Sequence, residues 1–174
     1  KMSQKSVLLL LLTIAACASF ALAVEVIQEV PENINPQAKQ TFIEYVGNLS
    51  YPVEKHVIRT EDGYLLSFFR IQAKNQKGFQ KKPVVYMQHG LLDSSDTWIM
   101  NDEAKAPGLI LANAGYDVWC GNVRGNRYSI DHSHWDPEKI PEFWQFSFQH
   151  MAQYDLPAAS DYIGNYTRLV VNYV

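Results

Sequence analysis

An α/β fold with a mostly parallel sheet is predicted by three observations in this sequence of 174 residues. Val84-Val85-Tyr86-Met87 is a near-continuous apolar run, as in a strand buried on both faces. Pro107 to Ala114 has Pro at its start and Gly115 just past its end, the asymmetry of a helix. Tyr116-Asp117-Val118-Trp119 reads as a second short core strand, and strand, helix, strand is the unit that builds a parallel crossover.

The other elements follow in chain order. Lys1 and Lys5 flank an apolar run from Val7 to Phe20 that ends in Ala21-Leu22-Ala23, the pattern of a secretory signal peptide spanning residues 1–23. Its apolar core is shorter than the roughly 20 residues of a spanning helix, so no stable transmembrane segment is expected after cleavage. Residues 24–52, with Pro31, Pro36 and Pro52, read as an N-terminal surface arm carrying a short helix between Pro36 and Val46. Residues 53–174 form the expected α/β domain. Within it Val57 to Thr60, the Glu61-Asp62-Gly63 turn and Tyr64 to Gln72 predict a hairpin. Lys74 to Lys82 reads as a basic loop. Phe143, Trp144, Phe146, Phe148 and Met151 have the spacing of one amphipathic helix, and Asp155 the chemistry of a cap for a following helix. Arg168 to Val174 reads as the beginning of another strand.

Hydrophobic residues make up 47% and aromatics 13% of the chain, a globular composition. Cleavage of the leader removes two lysines and no acid, taking the formal charge from -3 to -5, which argues against a nucleic-acid partner. Cys17 leaves with the leader, so Cys120 has no partner for an internal disulfide and is expected to be a small buried residue. Asn48-Leu49-Ser50 and Asn165-Tyr166-Thr167 are glycosylation sequons, which makes Asn48 and Asn165 candidate attachment sites in the secretory pathway.

His89-Gly90-Leu91-Leu92, directly after the first core strand, reads either as an ordinary turn that uses glycine or as a turn built for chemistry. In acyl transfer the tetrahedral oxyanion needs fixed donors, and backbone N–H groups in a tight turn supply them without reorganisation. Gly90 suits close approach of the backbone, the Leu91 N–H is the candidate donor, and two leucines suit an apolar acyl group.

Four stretches together resemble the acid lipase family, the gastric and lysosomal acid lipase group of α/β-hydrolases. They are His89 to Trp98, Asn113 to Asn126, Glu142 to Phe148 and Met151 to Ala158, with Tyr51-Pro52 and Thr60 to Tyr64 upstream. The resemblance spans about residues 34 to 167 and implies the amino-terminal half of an α/β-hydrolase sheet with an N-terminal hairpin. It implies a serine esterase for triacylglycerols or cholesteryl esters, active in lipid breakdown at a lipid–water interface, secreted or lysosomal, and without cofactor or metal. By the same resemblance Leu91 is an oxyanion donor, His89 is structural rather than the triad histidine, and Gly121 to Asn126 lies at the mouth of the active site.

The nucleophile elbow of this fold is G-x-S-x-G, and the glycine pair of that spacing, Gly121 and Gly125, encloses Val123. A valine cannot attack a carbonyl. The acid and histidine of the triad follow the serine in chain order, so the chain is expected to be an amino-terminal fragment, inactive alone. Residues 168–174 are either the elbow's own strand or sequence unrelated to the family. Asp131-His132-Ser133-His134-Trp135-Asp136 suggests a metal site but reads better as a polar surface turn. Ser94, Ser95 and Asp96 beside His89 imitate a triad in sequence only. Two other functions stand beside the lipase reading, a non-catalytic lipid-binding or interaction remnant and a hydrolase of different chemistry, such as a peptidase.

Overall fold

The computed structural model describes residues 39–174 except Asn75 and Lys77. The expected leader, residues 1–23, and most of the expected arm lie outside the described residues. The described chain builds a mixed sheet of five strands in the order β1-β2-β4-β3-β5. These are β1 (Val53–Arg59), β2 (Leu65–Ile71), β3 (Val84–Gln88), β4 (Asp117–Gly121) and β5 (Val171–Tyr173). β1 with β2 and β2 with β4 are antiparallel, whereas β4, β3 and β5 run parallel. This is the hairpin followed by a parallel sheet expected of an α/β-hydrolase.

Helix α1 (Phe42–Asn48) begins at a capping box in which Thr41 and Glu44 satisfy each other's backbone N–H groups. The surface-arm reading fails here, because Phe42 and Val46 are fully buried and Phe42 stacks on Phe69 of β2 at 4.4 Å. The β1–β2 turn forms at Asp62-Gly63 as expected, and Gly63 takes φ +98°, a conformation that favours glycine. β3 and β4 are joined through α2 (Pro107–Asn113), with Gly115 at φ +97° after its end.

Alternation along the parallel strands explains why they read as continuous apolar runs. Val85, Met87, Val118 and Cys120 enter one core with α1 and α2, whereas Val84, Tyr86 and Trp119 enter a second on the opposite face. The second core is closed by Ala159 and Ile163 of α3 (Leu156–Thr167). Cys120 is fully buried, as expected for a structural thiol. Between β2 and β4, Arg70 makes a two-pronged ion pair to buried Asp117 at 2.8 and 2.9 Å, a geometry matched to guanidinium and carboxylate.

The aromatic stretch is not one helix. Pro141 opens a 3₁₀ turn, Pro141–Trp144, and the chain restarts at Ser147, whose capping arrangement with His150 begins a short α-helical turn, Phe148–His150. Phe143 is fully buried in the core and Phe146 packs against it partly buried, while Trp144 and Phe148 are exposed. The turn continues through a π-helix, Met151–Asp155, into α3. Asp155 does not cap α3 with its side chain. It lies in helical conformation, and its carboxylate is buried against Arg124. Residues Val171–Tyr173 pair with β3, and the Val174 N–H donates to Tyr86 O at 2.8 Å. Among the described residues no helix is long and apolar enough to cross a membrane.

Candidate active-site cleft

The carboxyl ends of β3, β4 and β5 open into a cleft of about 690 Å³. This is the end of a parallel sheet at which α/β proteins bind ligands. The segment after β3 supplies His89, Gly90 and Leu91, the segment after β4 supplies Val123 to Arg127, and β5 contributes Tyr173. Phe146, Met151 and Leu156 give it an apolar wall. The sequence-predicted turn and the Gly121–Asn126 loop therefore meet at one place. Asn48 and Asn165 are both exposed and do not line the cleft.

His89 is a brace between these two segments. Its Nε2 receives the Val123 N–H at 3.3 Å and the Asn126 amide at 3.1 Å. Two donors on one nitrogen require it to be the unprotonated one, so Nδ1 carries the hydrogen and donates to Gly90 O at 2.7 Å. Both nitrogens are engaged in holding backbone. Behind them, fully buried Asn122 uses all four of its side-chain positions. Its Oδ1 accepts from Ser95 N and Asn126 Nδ2 at 2.9 and 2.7 Å, and its Nδ2 donates to Ser67 O and Ser95 Oγ at 2.9 and 3.0 Å.

Leu91 and Leu92 stand at the mouth, 78% and 99% exposed, with Leu92 in the left-handed region at φ 61°. The Leu91 N–H has no acceptor among the described residues. At Gly90 an added Cβ would meet nothing within 4 Å, and its φ is not positive, so the packing of this chain does not itself demand glycine there. Gly125 is different. It has φ +78°, and a Cβ would collide with the ring of Phe146 on the cleft wall. Gly125→Ala is therefore expected to lower unfolding free energy by about 1–3 kcal/mol from overpacking, read by urea denaturation.

Sequence reasoning missed the principal ionic feature of the cleft. Arg124, 2% exposed, donates to Asp155 through Nε and Nη2 at 2.8 and 2.7 Å, and to Asp62 through Nη1 and Nη2 at 2.5 and 2.9 Å. Its own N–H also reaches Asp155, at 3.0 Å, and its guanidinium lies 3.9 Å from the Tyr64 ring centroid. Burial pushes the Asp155 carboxyl upward, against the hydrogen bonds and charge of Arg124. At Asp62 burial acts the same way, but bonds from Arg124 and Thr60 outweigh it and hold the carboxyl below the usual range. The arrangement ties the hairpin turn, the loop after β4 and the π-helix together at the cleft.

The rival constellations have other roles. Ser94 Oγ bonds Asp96 within its own turn, and Ser95 Oγ receives Asn122, so neither meets an imidazole. Asp131, His134 and Trp135 are exposed, as expected of a surface turn, whereas His132 within the same stretch is only 8% exposed. Its Nδ1 accepts the N–H groups of His134 and Trp135, each at 3.1 Å, its Nε2 donates to Asp62 O at 2.9 Å, and its ring stacks on Trp135. Both nitrogens are occupied in fastening this segment to the hairpin. Among the described residues no group of three or more His, Cys, Asp or Glu is arranged to hold a metal ion.

A family model described as a partial alpha/beta-hydrolase lipase region matches residues 42–102. The chain is 44% identical over 131 residues to the gastric triacylglycerol lipase of Bos taurus, covering 74% of this chain and 33% of that protein. It is 49% identical over 121 residues to lipase member J of Homo sapiens, covering 68% and 33%. To the lysosomal acid lipase/cholesteryl ester hydrolase of Homo sapiens it is 42% identical over 136 residues, covering 77% and 34%. The chain spans about a third of the length of these relatives.

Proposed function

From the premise that the chain belongs to the acid lipase family of α/β-hydrolases, we propose that its cleft is the oxyanion and acyl-binding side of a lipid ester hydrolase site. Triacylglycerols or cholesteryl esters are its substrate class, met at a lipid–water interface in a secreted or lysosomal setting. The observation that carries this reading is the Leu91 N–H, without an acceptor among the described residues, beside an apolar cleft at the carboxyl ends of parallel strands. The two exposed leucines offer apolar contact to an incoming acyl group. The exposed sequons at Asn48 and Asn165 fit passage through the secretory pathway.

In the reaction class of this family a serine attacks the ester carbonyl, an acyl-enzyme forms, and water releases the acid. Leu91 would donate to the oxyanion in both tetrahedral stages, with His89 and Asn122 fixing the turn that presents it. No G-x-S-x-G occurs in the 174 residues, so this chain alone is expected to show no turnover. The test is hydrolysis of a p-nitrophenyl acyl ester by the chain and by Leu91→Pro, which lacks the N–H. Equal background rates are expected, and turnover well above the variant would overturn the inactivity of the chain. Because the cleft and its apolar rim form without a nucleophile, a second reading is lipid binding without catalysis. Saturable binding of a non-hydrolysable ether lipid would favour it.

A further inference from the structure

At the cleft mouth, Leu92 occupies a position where nothing among the described residues favours a leucine. The turn that carries it is held on both sides. The His89 Nδ1–H donates to Gly90 O at 2.7 Å, the Asp93 carboxylate accepts the Ser94 N–H at 2.7 Å, and Asn126 Nδ2 reaches Asp93 O at 3.5 Å. Between these points the chain reverses by placing Leu92 at φ 61°, whereas Leu91 is not left-handed. In that region a Cβ crowds the following carbonyl oxygen, a clash that glycine avoids and asparagine tolerates. The side chain brings no packing in return, because it is 99% exposed. Glycine would relieve both the backbone strain and the exposed apolar surface.

On the reading of this cleft as an acyl-binding site, we propose that Leu92 sets its preference for acyl chain length by covering the outer part of a long chain as it leaves the cleft. The inner wall of Phe146, Met151 and Leu156 serves short and long acyl groups alike. Leu92 lines the cleft from its mouth, as does Phe148 of the short helical turn, 78% exposed. Only a long chain crosses that mouth, and without an apolar partner there its outer carbons would stay in water. Contact with Leu92 removes apolar surface of both groups from water, a gain that grows with the area covered. A strained residue with no part in the packing is thus accounted for by the site it borders.

The test is calorimetric titration of the full chain with two non-hydrolysable glyceryl ethers, one butyl and one dodecyl, each below its micelle concentration. The wild type is expected to prefer the dodecyl ether, and Leu92→Gly to lower that preference about tenfold, the loss of part of one leucine's burial. Leu92→Asn, polar yet tolerant of the left-handed region, should lose the preference likewise, and Leu92→Met should keep it. The urea midpoint of Leu92→Gly should equal or exceed that of the wild type. A wild type that binds both ethers equally, or a preference unchanged in Leu92→Gly, would overturn the role of Leu92 and leave the acyl-binding cleft standing. Failure of the wild type to bind either ether would overturn the reading of the cleft, and this role with it. A lower urea midpoint in Leu92→Gly would overturn the role by showing that the leucine serves the fold. Sedimentation showing a wild-type dimer that Leu92→Gly abolishes would overturn it in favour of a contact between copies.

Discussion

Arg124→Leu is expected to lower the unfolding free energy by about 3–5 kcal/mol in urea denaturation, the cost of breaking a buried ion pair by removing one partner. The penalty comes chiefly from Asp155. At 3% exposed, it would keep a carboxylate in the interior after losing two guanidinium bonds. Asp62 would lose two as well, but its side chain is 26% exposed and water can replace them. Asp62→Asn should therefore cost much less than Arg124→Leu. The double variant Arg124→Leu with Asp155→Leu should recover part of the loss, because an apolar pair leaves no uncompensated charge. A loss below about 1 kcal/mol for Arg124→Leu would show that the triad is no more than a solvated surface pair.

Asn122→Leu should cost on the order of 3 kcal/mol or more, because buried partners left unsatisfied cost about 1–3 kcal/mol each. Leucine matches asparagine in shape and makes none of its four bonds. Ser95 N–H and Ser67 C=O lose their side-chain partners, and the Asn126 amide loses one of the acceptors that aims it at His89. The functional consequence is separable from the stability loss. With Asn126 no longer steered, the His89 imidazole should exchange between tautomers, read as averaging of its ring nitrogen shifts under conditions where the variant remains folded. An unchanged Nδ1–H signature would show that Val123 alone fixes the ring.

The hairpin and the β3-α2-β4 unit were legible because their signals are local. An Asp-Gly turn, an apolar run and a Pro-to-Gly bracket each act over fewer than ten or so residues. The aromatic run misled because 3.6-residue spacing holds from Phe143 to Met151 even though Pro141 and Ser147 each start a separate turn. Asp155 misled because a cap and a buried counter-ion use the same side chain, and only the arrival of Arg124 distinguishes them. Arg124 itself carried no local signal, since its partners lie 62 and 31 residues away. The cleft was legible as a motif at His89–Leu92, because the turn chemistry sits in four consecutive residues. What bound the turn to the β4 loop was not, since it depends on Val123 and Asn126, the latter held by Asn122, meeting a histidine from the segment after β3.

Cys120 lies on β4, flanked by β2 on one side and β3 on the other, and its thiol has no surface exposure. Burial also pushes its proton affinity well above the ordinary thiol range, so the reactive thiolate is scarce while the sheet stays closed. The residue is thus a built-in chemical clock. An alkylating reagent can mark it only in molecules whose central strand has opened, and peptide mass analysis separates that mark from any on Cys17. Labelling rate against reagent concentration then gives both the frequency of opening and its free energy, without a spectroscopic probe or any substitution in the chain.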